Sequence, residues 1–422
     1  MREDFLHYLW RTKRFDLNSL QTTEGETVEI GVFGKHNSHA GPDFLEAKIK
    51  IGDTLWAGNV EMHVRSSEWI AHQHQNDKTY GTVILHVVFE EDEPIYRENG
   101  ERIPCLELRK RIPPKIIQTY QKIVHNEHWI PCQHHFYNVS ELTKNAWIDR
   151  LLVERLEQKT VHIEERLRYN KNAWEETFYQ ILARNFGVKV NAEPFELLAT
   201  ATPLHLFAKH KNSLFQIEAL LFGQAGLLEK LWLDDYPKSL RKEYQFLQKK
   251  YKLQPLKGES WRFMRMRPAN FPTIRLAQFA TLIYQSSHLF SKILEAESIR
   301  ELQKLFKVSL SDYWLDHYVF DKVTATRNKS LGKSTVQLLI INTIIPFLFL
   351  YGTRQSISAY RDKALGLLEE IAPEKNSIID GWKILGLAPE SAYETQALLQ
   401  LKNEYCNVKR CLSCAVGSSI LR

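Results

Sequence analysis

The chain has 422 residues, of which 44% are hydrophobic and 25% charged, so it has the composition of a folded protein and not of a disordered or fibrous one. Its formal net charge of +6 divides into −5 over residues 1–112 and +11 over residues 113–422. This excludes a strongly acidic chain, and the mildly basic larger part is compatible with a polyanionic partner.

The number of cysteines and the first residues of the chain indicate the cellular compartment. Five cysteines, an odd number, do not indicate a disulfide framework, and acidic residues follow Met1 where a signal peptide would carry basic and then apolar ones. We expect a cytoplasmic protein with reduced thiols. The longest apolar run, 336–351, contains Asn342 and Pro346 and is shorter than a membrane-spanning helix of about 20 residues. It predicts a kinked core helix and no membrane association.

The first part of the chain predicts the element order α-β-β-β-α-β. Gly52-Asp53 is a turn-forming pair and predicts a hairpin between the second and third strands. The pattern of apolar residues indicates a short helix over 4–10, strands over 27–32, 44–51 and 56–64, a helical stretch over 67–77 and a buried strand over 82–89.

Later segments have a helical period instead. We therefore predict an α+β protein with an α/β domain at 1–112, a proline-containing connection at 113–146, and a helical domain at 147–422 that ends in a cysteine cluster.

The densest polar cluster of the chain lies in the first part. Asp43 precedes one strand of the predicted hairpin, and Glu61 and His63 share a face of the other strand. Two carboxylates suit Mg²⁺ or Mn²⁺, and a histidine beside them can orient or deprotonate water. The predicted catalytic and metal-binding residues are Asp43, Glu61 and His63, with His39, His72, His74 and Asp77 as additional candidates.

This part of the chain resembles the restriction-endonuclease-like PD-(D/E)XK nucleases, whose motif is Pro-Asp, a strand, then Asp/Glu, any residue, and Lys. Pro42-Asp43 and Glu61-Met62-His63 match it over residues 1–92, with histidine in place of lysine. The resemblance implies metal-dependent hydrolysis of phosphodiester bonds, with Asp43 and Glu61 holding the ion. Histidine is not a permanent cation, which separates this sequence from the usual motif.

Three other interpretations remain open. The cluster fits a zinc hydrolase that uses two or three of His63, His72, His74 and Asp77, because imidazole is a common zinc ligand. It also fits a non-catalytic nucleic-acid-binding or scaffold protein with a degenerate nuclease core. The plainest interpretation is that Asp43 caps a turn and the other residues are ordinary surface or core residues.

A second candidate metal site lies near the C-terminus. Cys406, Cys411 and Cys414 have the spacing C-x4-C-x2-C, which is part of the plant-type iron–sulfur pattern. A fourth ligand must come from elsewhere, and Cys132 is preferred over Cys105, which lies in a strand-like segment. Zinc would use the same four residues, and reduced, partly buried thiols are the alternative.

The stretch 241–275 carries ten basic and two acidic residues with interleaved aromatic residues. This mixture suits phosphate contacts and base stacking, although a solvated helix face explains it almost equally well. The predicted nucleic-acid-binding residues, for DNA or RNA, are Lys249, Lys250, Arg262, Arg265, Arg267 and Arg275.

Five segments along the chain resemble a bacterial family that carries only a domain-of-unknown-function label. They are 36–44, 58–63, 219–226, 267–272 and 410–414. That resemblance implies no activity, so the expected nuclease activity rests on the site. Protein partners are not indicated.

Overall fold

The computed structural model describes residues 1–37, 39–286 and 288–421. Ser38, within the 36–44 segment, lies outside the described residues. The chain forms two compact units: the first comprises Met1–Trp147 with Leu401–Arg422, and the second is Ile148–Gln400. The boundaries differ from the predicted ones, because both the 113–146 segment and the C-terminal cysteine segment belong to the first unit.

The first unit contains a mixed six-stranded sheet. Its main order is β1-β3-β4-β5-β6, with β2 paired to β3. β1, β2 and β4 run antiparallel to β3, whereas β5 runs parallel to both β4 and β6. The strands are β1 Val28–Val32, β2 Lys35–His36, β3 Phe44–Ile51, β4 Thr54–Arg65, β5 Val83–Glu90 and β6 Cys105–Glu107.

Helix α1, Glu3–Thr12, carries the apolar residues Phe5, Leu6, Leu9 and Trp10, which are buried in the same core cluster as the sheet. Glu3 and Asp4 in its first turn are favourable at the positive end of the helix dipole. The other helices wholly within this unit are α2 Glu68–Ala71, α3 Pro114–Val124 and α19 Ala415–Ile420.

The second unit is helical, and α4, Glu141–Tyr169, contains the residue at which the units divide. The remaining helices are α5 Trp174–Phe186, α6 Ala192–Ala201, α7 Leu204–Ala208, α8 Leu214–Gln224, α9 Asp235–Tyr251, α10 Pro272–Gln285, α11 Leu289–Glu295, α12 Ile299–Leu305, α13 Tyr313–Asp316, α14 Lys333–Leu339, α15 Ile345–Arg354, α16 Ser358–Glu370, α17 Ser377–Ile384 and α18 Ala392–Gln400.

The apolar run forms a continuous helical segment, Lys333–Arg354, in which a π-helical turn, Ile340–Ile344, separates α14 from α15. It is long and apolar enough to cross a membrane, but 72% of its most apolar window is buried inside the structure, as in the core helix of a soluble protein. The prediction of a buried core helix is confirmed, and the π-helical turn lies within the stretch for which a kink was predicted.

The predicted mixture of an N-terminal sheet and a mostly helical body is confirmed, as are four strands and the turn at Gly52-Asp53. Strands β2 and β6 were not predicted. They contain only two and three residues, which is too short for an alternating pattern to be recognised.

Candidate metal centre

The β3–β4 hairpin brings Asp43 and Glu61 together. Phe44 pairs with Val60 across the hairpin, which places the residue before β3 beside Glu61 on β4. The Asp43 backbone N–H donates to Glu61 Oε2 over 3.1 Å, and the Met62 N–H donates to Asp43 Oδ2 over 3.0 Å. These two bonds hold both carboxylates at one end of the sheet.

Helix α1 adds two polar side chains that sequence reasoning missed. His7 Nε2 lies 3.1 Å from Asp43 Oδ2 and 3.7 Å from Glu3 Oε1. Glu3 and His7 are four residues apart, so they lie on the same face of the helix. That spacing was the available signal, but only the packing of α1 brings its polar face to the hairpin.

Histidines form the other side of the cluster. The ring of His63 is fully buried, and its Nδ1 lies 2.8 Å from Nε2 of His86, which is also buried. Nε2 of His63 lies 3.3 Å from Nδ1 of the exposed His72. Both ring nitrogens of His63 therefore have imidazole neighbours, and its orientation is fixed. His86 was not among the predicted residues.

His74 connects the histidines to the carboxylates. Its Nε2 lies 3.4 Å from Glu61 Oε1, and its ring stacks on Tyr80 with the ring centres 3.8 Å apart. His74 is partly exposed, in contrast to His63, so it can exchange a proton with solvent.

Burial and neighbouring charges shift the pKa values of the central groups. Burial, followed by the charge of Asp43, raises the pKa of Glu61 to about 9. Burial, followed by the neighbouring His86, lowers the pKa of His63 to about 2. Burial alone would lower the pKa of His7, but the close contact with the Asp43 carboxylate and the nearby charges of Glu3 and Asp4 outweigh burial and raise it. Without a cation, burial thus favours the protonated form of the Glu61 carboxyl and the neutral form of the His63 imidazole.

Three overlapping groups of donor atoms have the spacing needed to hold a metal ion, with their ligand atoms within 4.8 Å of one another. Glu3 belongs to two of these groups and His63 belongs to two, so each group shares a residue with another group. The two groups that contain carboxylates suit Mg²⁺ or Mn²⁺, and the group of three imidazoles suits Zn²⁺. The groups are Glu3–His7–Asp43, Glu3–Glu61–His63 and His63–His72–His74.

Two predicted additional residues lie outside these groups within the described part of the chain. His39 is exposed, and its backbone N–H donates to Asn37 Oδ1 over 2.9 Å. Asp77 is exposed and accepts hydrogen bonds from the backbone and the hydroxyl of Thr79, which lower its pKa. It caps a turn and belongs to none of the donor groups among the described residues.

One of the predicted nucleic-acid-binding residues is buried, and the other five are exposed to solvent. Arg275 is buried and donates to Gln278 and Asn270, so the prediction that it contacts nucleic acid is wrong. The aromatic residues Tyr244 and Trp261 are also buried and cannot stack on bases. Five basic residues of the set are exposed: Lys249, Lys250, Arg262, Arg265 and Arg267.

Comparison with known proteins finds one matching protein family. Residues 3–377 match the family described as "Protein of unknown function (DUF2851)". The chain belongs to this family. The match includes the whole candidate metal centre and Cys132, and it ends before Cys406. No curated protein and no solved structure matches the chain.

Proposed function

We propose that this member of the family hydrolyses phosphodiester bonds of nucleic acid with the help of a divalent metal ion. The observation that carries the proposal is the pair of donor groups Glu3–His7–Asp43 and Glu3–Glu61–His63, which share Glu3 at the open end of the β3–β4 hairpin. The backbone N–H of Asp43 in the first group donates to the Glu61 carboxylate of the second. These carboxylates fit a hard cation, and the neighbouring imidazoles favour Mn²⁺ over Mg²⁺.

The topology supports a restriction-endonuclease-like core. β1, β3 and β4 form an antiparallel meander, α2 follows, and β5 then returns parallel to β4. Pro42-Asp43 lies at the start of one central strand, and Glu61-Met62-His63 lies on the next. The resemblance to PD-(D/E)XK nucleases implies metal ligands at these positions, and this topology supports the proposal.

The side chains of the metal centre would have different roles in the reaction. The bound metal would supply a polarised water and neutralise charge on the scissile phosphate. Glu3, Asp43 and Glu61 would hold it. His63 is too deeply buried to meet a substrate and would position its neighbours through His72 and His86. His74, partly exposed beside Glu61, is the better placed proton acceptor.

The proposed partner is DNA or RNA in the cytoplasm. The exposed Lys249, Lys250, Arg262, Arg265 and Arg267 of the second unit would supply phosphate contacts. Such contacts carry no sequence information, so we expect binding that depends on salt and tolerates many sequences.

A zinc-dependent hydrolase is the second candidate. It is favoured by the three imidazoles of His63, His72 and His74, whose donor atoms lie within 4.8 Å of one another. In that case the carboxylates would be outer neighbours of the metal and not its ligands.

The test is cleavage of labelled single- and double-stranded DNA and RNA by purified protein with Mn²⁺, Mg²⁺, Zn²⁺ or a chelator. Cleavage with Mn²⁺ that the chelator stops supports the proposal. Cleavage with Zn²⁺ alone, lost in His72→Ala but retained in Asp43→Asn, would favour the zinc hydrolase. Salt-sensitive binding without any cleavage would leave a nucleic-acid-binding protein with an inactive core.

Glu3 provides a specific prediction because the nuclease motif does not include it. We expect Glu3→Gln to weaken the apparent affinity for Mn²⁺ by about tenfold or more, since Glu3 belongs to two of the three donor groups. The Mn²⁺ dependence of the cleavage rate measures this. Glu29→Gln is the control, because Glu29 is exposed on β1. Equal Mn²⁺ dependence in the two variants would exclude Glu3 from the site.

A further inference from the structure

Four cysteines from two distant parts of the sequence come together in the first unit. Cys132 precedes the 3₁₀ turn Gln133–Asn138, Cys406 ends the π-helical turn Leu401–Cys406, and Cys411 and Cys414 flank the residues before α19. α19 packs against the 3₁₀ turns that follow Cys132 and begin at Cys411. All four are free thiols.

The turn that ends at Cys406 also contacts the turn that begins at Cys411, and the electrostatic effects of the thiols on one another agree with this arrangement. Burial, followed by the charges of Cys414 and Cys411, raises the pKa of Cys132 to about 12. Burial, followed by Cys132, Cys414 and Cys411, likewise raises the pKa of Cys406. Cys105 differs, because burial and then Glu91 raise its pKa and no other cysteine contributes.

Burial raises the pKa of all four thiols, but groups that favour negative charge on sulfur lie beside three of them. Cys414 Sγ accepts hydrogen bonds from the backbone N–H groups of Val416 and Gly417. Lys402 and Lys409 lie close enough to Cys406 and Cys411, respectively, to favour their charged forms. N–H donors and nearby cations stabilise negative charge on sulfur and are the means by which proteins tune metal–thiolate groups.

The distances between the four sulfur atoms bear on which metal the cysteines could bind. Four thiolates around a single zinc ion, with bonds of about 2.3 Å, lie about 3.8 Å from one another. Among the described residues, every group of three donor atoms within 4.8 Å of one another belongs to the metal centre at the hairpin, and none contains a cysteine. No three of the described thiols therefore lie as close together as ligands of one zinc ion. The spacing C-x4-C-x2-C of Cys406, Cys411 and Cys414 is instead part of the plant-type iron–sulfur pattern.

We propose that Cys132, Cys406, Cys411 and Cys414 bind an iron–sulfur cluster, each thiol giving up its proton as a bond from sulfur to iron forms. The cluster joins the C-terminal segment to the body of the first unit. That segment packs on α1: Cys411 and Leu421 share a core cluster with Phe5 and Leu9, and the Tyr8 hydroxyl lies 3.3 Å from Ser418 Oγ. The proposal does not depend on the proposed nuclease activity.

The test is the iron and acid-labile sulfide content of full-length protein purified without oxygen, together with its visible spectrum. We expect iron and acid-labile sulfide in equal amounts, about two or about four of each per chain, and a red to brown colour. Cys132→Ser and Cys406→Ser, in which each serine keeps the size of the side chain, should each lose most of the iron. Cys105→Ser, buried in the sheet, is the matched control and should keep it.

A second measurement keeps the test independent of how the variants fold. Metal-free wild-type protein is incubated anaerobically with ferric iron, sulfide and a thiol reductant, which together supply iron in both oxidation states, and the proposal predicts that the colour forms. About one zinc per chain without iron, or a protein that stays colourless after this treatment, would overturn the proposal.

Discussion

Glu61→Gln is expected to reduce phosphodiester cleavage by about 10²-fold or more while stabilising the chelator-treated protein. Activity falls because an amide is a much weaker metal ligand than a carboxylate. The fold is retained, because the amide oxygen can still accept the hydrogen bond from the Asp43 backbone N–H. A loss of activity without a loss of stability would separate a functional role from a structural one.

The stability effect follows from the raised pKa. The pKa of Glu61 is about 9 in the folded chain against an ordinary value of 4.5, because the carboxyl is buried beside Asp43. The unfolded chain releases this proton at lower pH, so the wild-type protein loses stability as the pH rises from 4.5 through 9. Glutamine has no proton to lose, and the variant should be more stable than wild type at pH 8 in chelator.

The measurements are cleavage rates with Mn²⁺ and melting temperatures in chelator at pH 5 and pH 8, with Glu29→Gln as the control. We expect the advantage of Glu61→Gln to be larger at pH 8. Full activity in Glu61→Gln, or a variant less stable than wild type at pH 8, would show that Glu61 does not have the assigned role.

Gly223→Ala is expected to destabilise the second unit by about 3 kcal/mol. A Cβ atom at this position in α8 would lie 2.0 Å from Cγ of Tyr244 on α9. The ring cannot move aside easily, because it is buried and its hydroxyl donates to Gln224 Oε1 over 2.9 Å. Close contact between the two helices thus gives a physical reason for glycine in the 219–226 segment.

Gly366→Ala is the matched control for this prediction. Gly366 lies within α16, and a Cβ there would have no atom within 4 Å. Alanine is the better helix former, so this change should be neutral or stabilise the protein by up to about 1 kcal/mol. Chemical denaturation of both variants measures the difference, and equal stability would contradict the packing argument.

The sequence was most informative where local patterns determine structure. The pattern of apolar residues identified β3 and β4, and a continuous apolar run identified the buried β5. The pair Gly52-Asp53 identified the turn that brings Asp43 and Glu61 together. Once that turn is known, the two carboxylates follow from the strand period alone.

The rest required tertiary packing. Glu3 and His7 reach the centre because α1 packs on the same core as the sheet, and nothing local to residues 3–7 indicates that neighbour. Arg275 looked like part of a basic surface, but α10 is buried nearly all round in its first two turns. The sequence of a single helix does not show how many of its faces are covered by other parts of the fold.

Calorimetric titration of Mn²⁺ into wild-type protein and Asp43→Asn tests the central claim most directly. The account predicts saturable binding to the wild type with release of protons, because the protonated Glu61 must ionise to bind a cation. Titration at pH 8 in two buffers of different ionisation enthalpy detects that release. Binding should be lost in Asp43→Asn and retained in Glu29→Gln. Wild-type protein that binds no Mn²⁺, or Asp43→Asn that binds it equally well, would contradict the account.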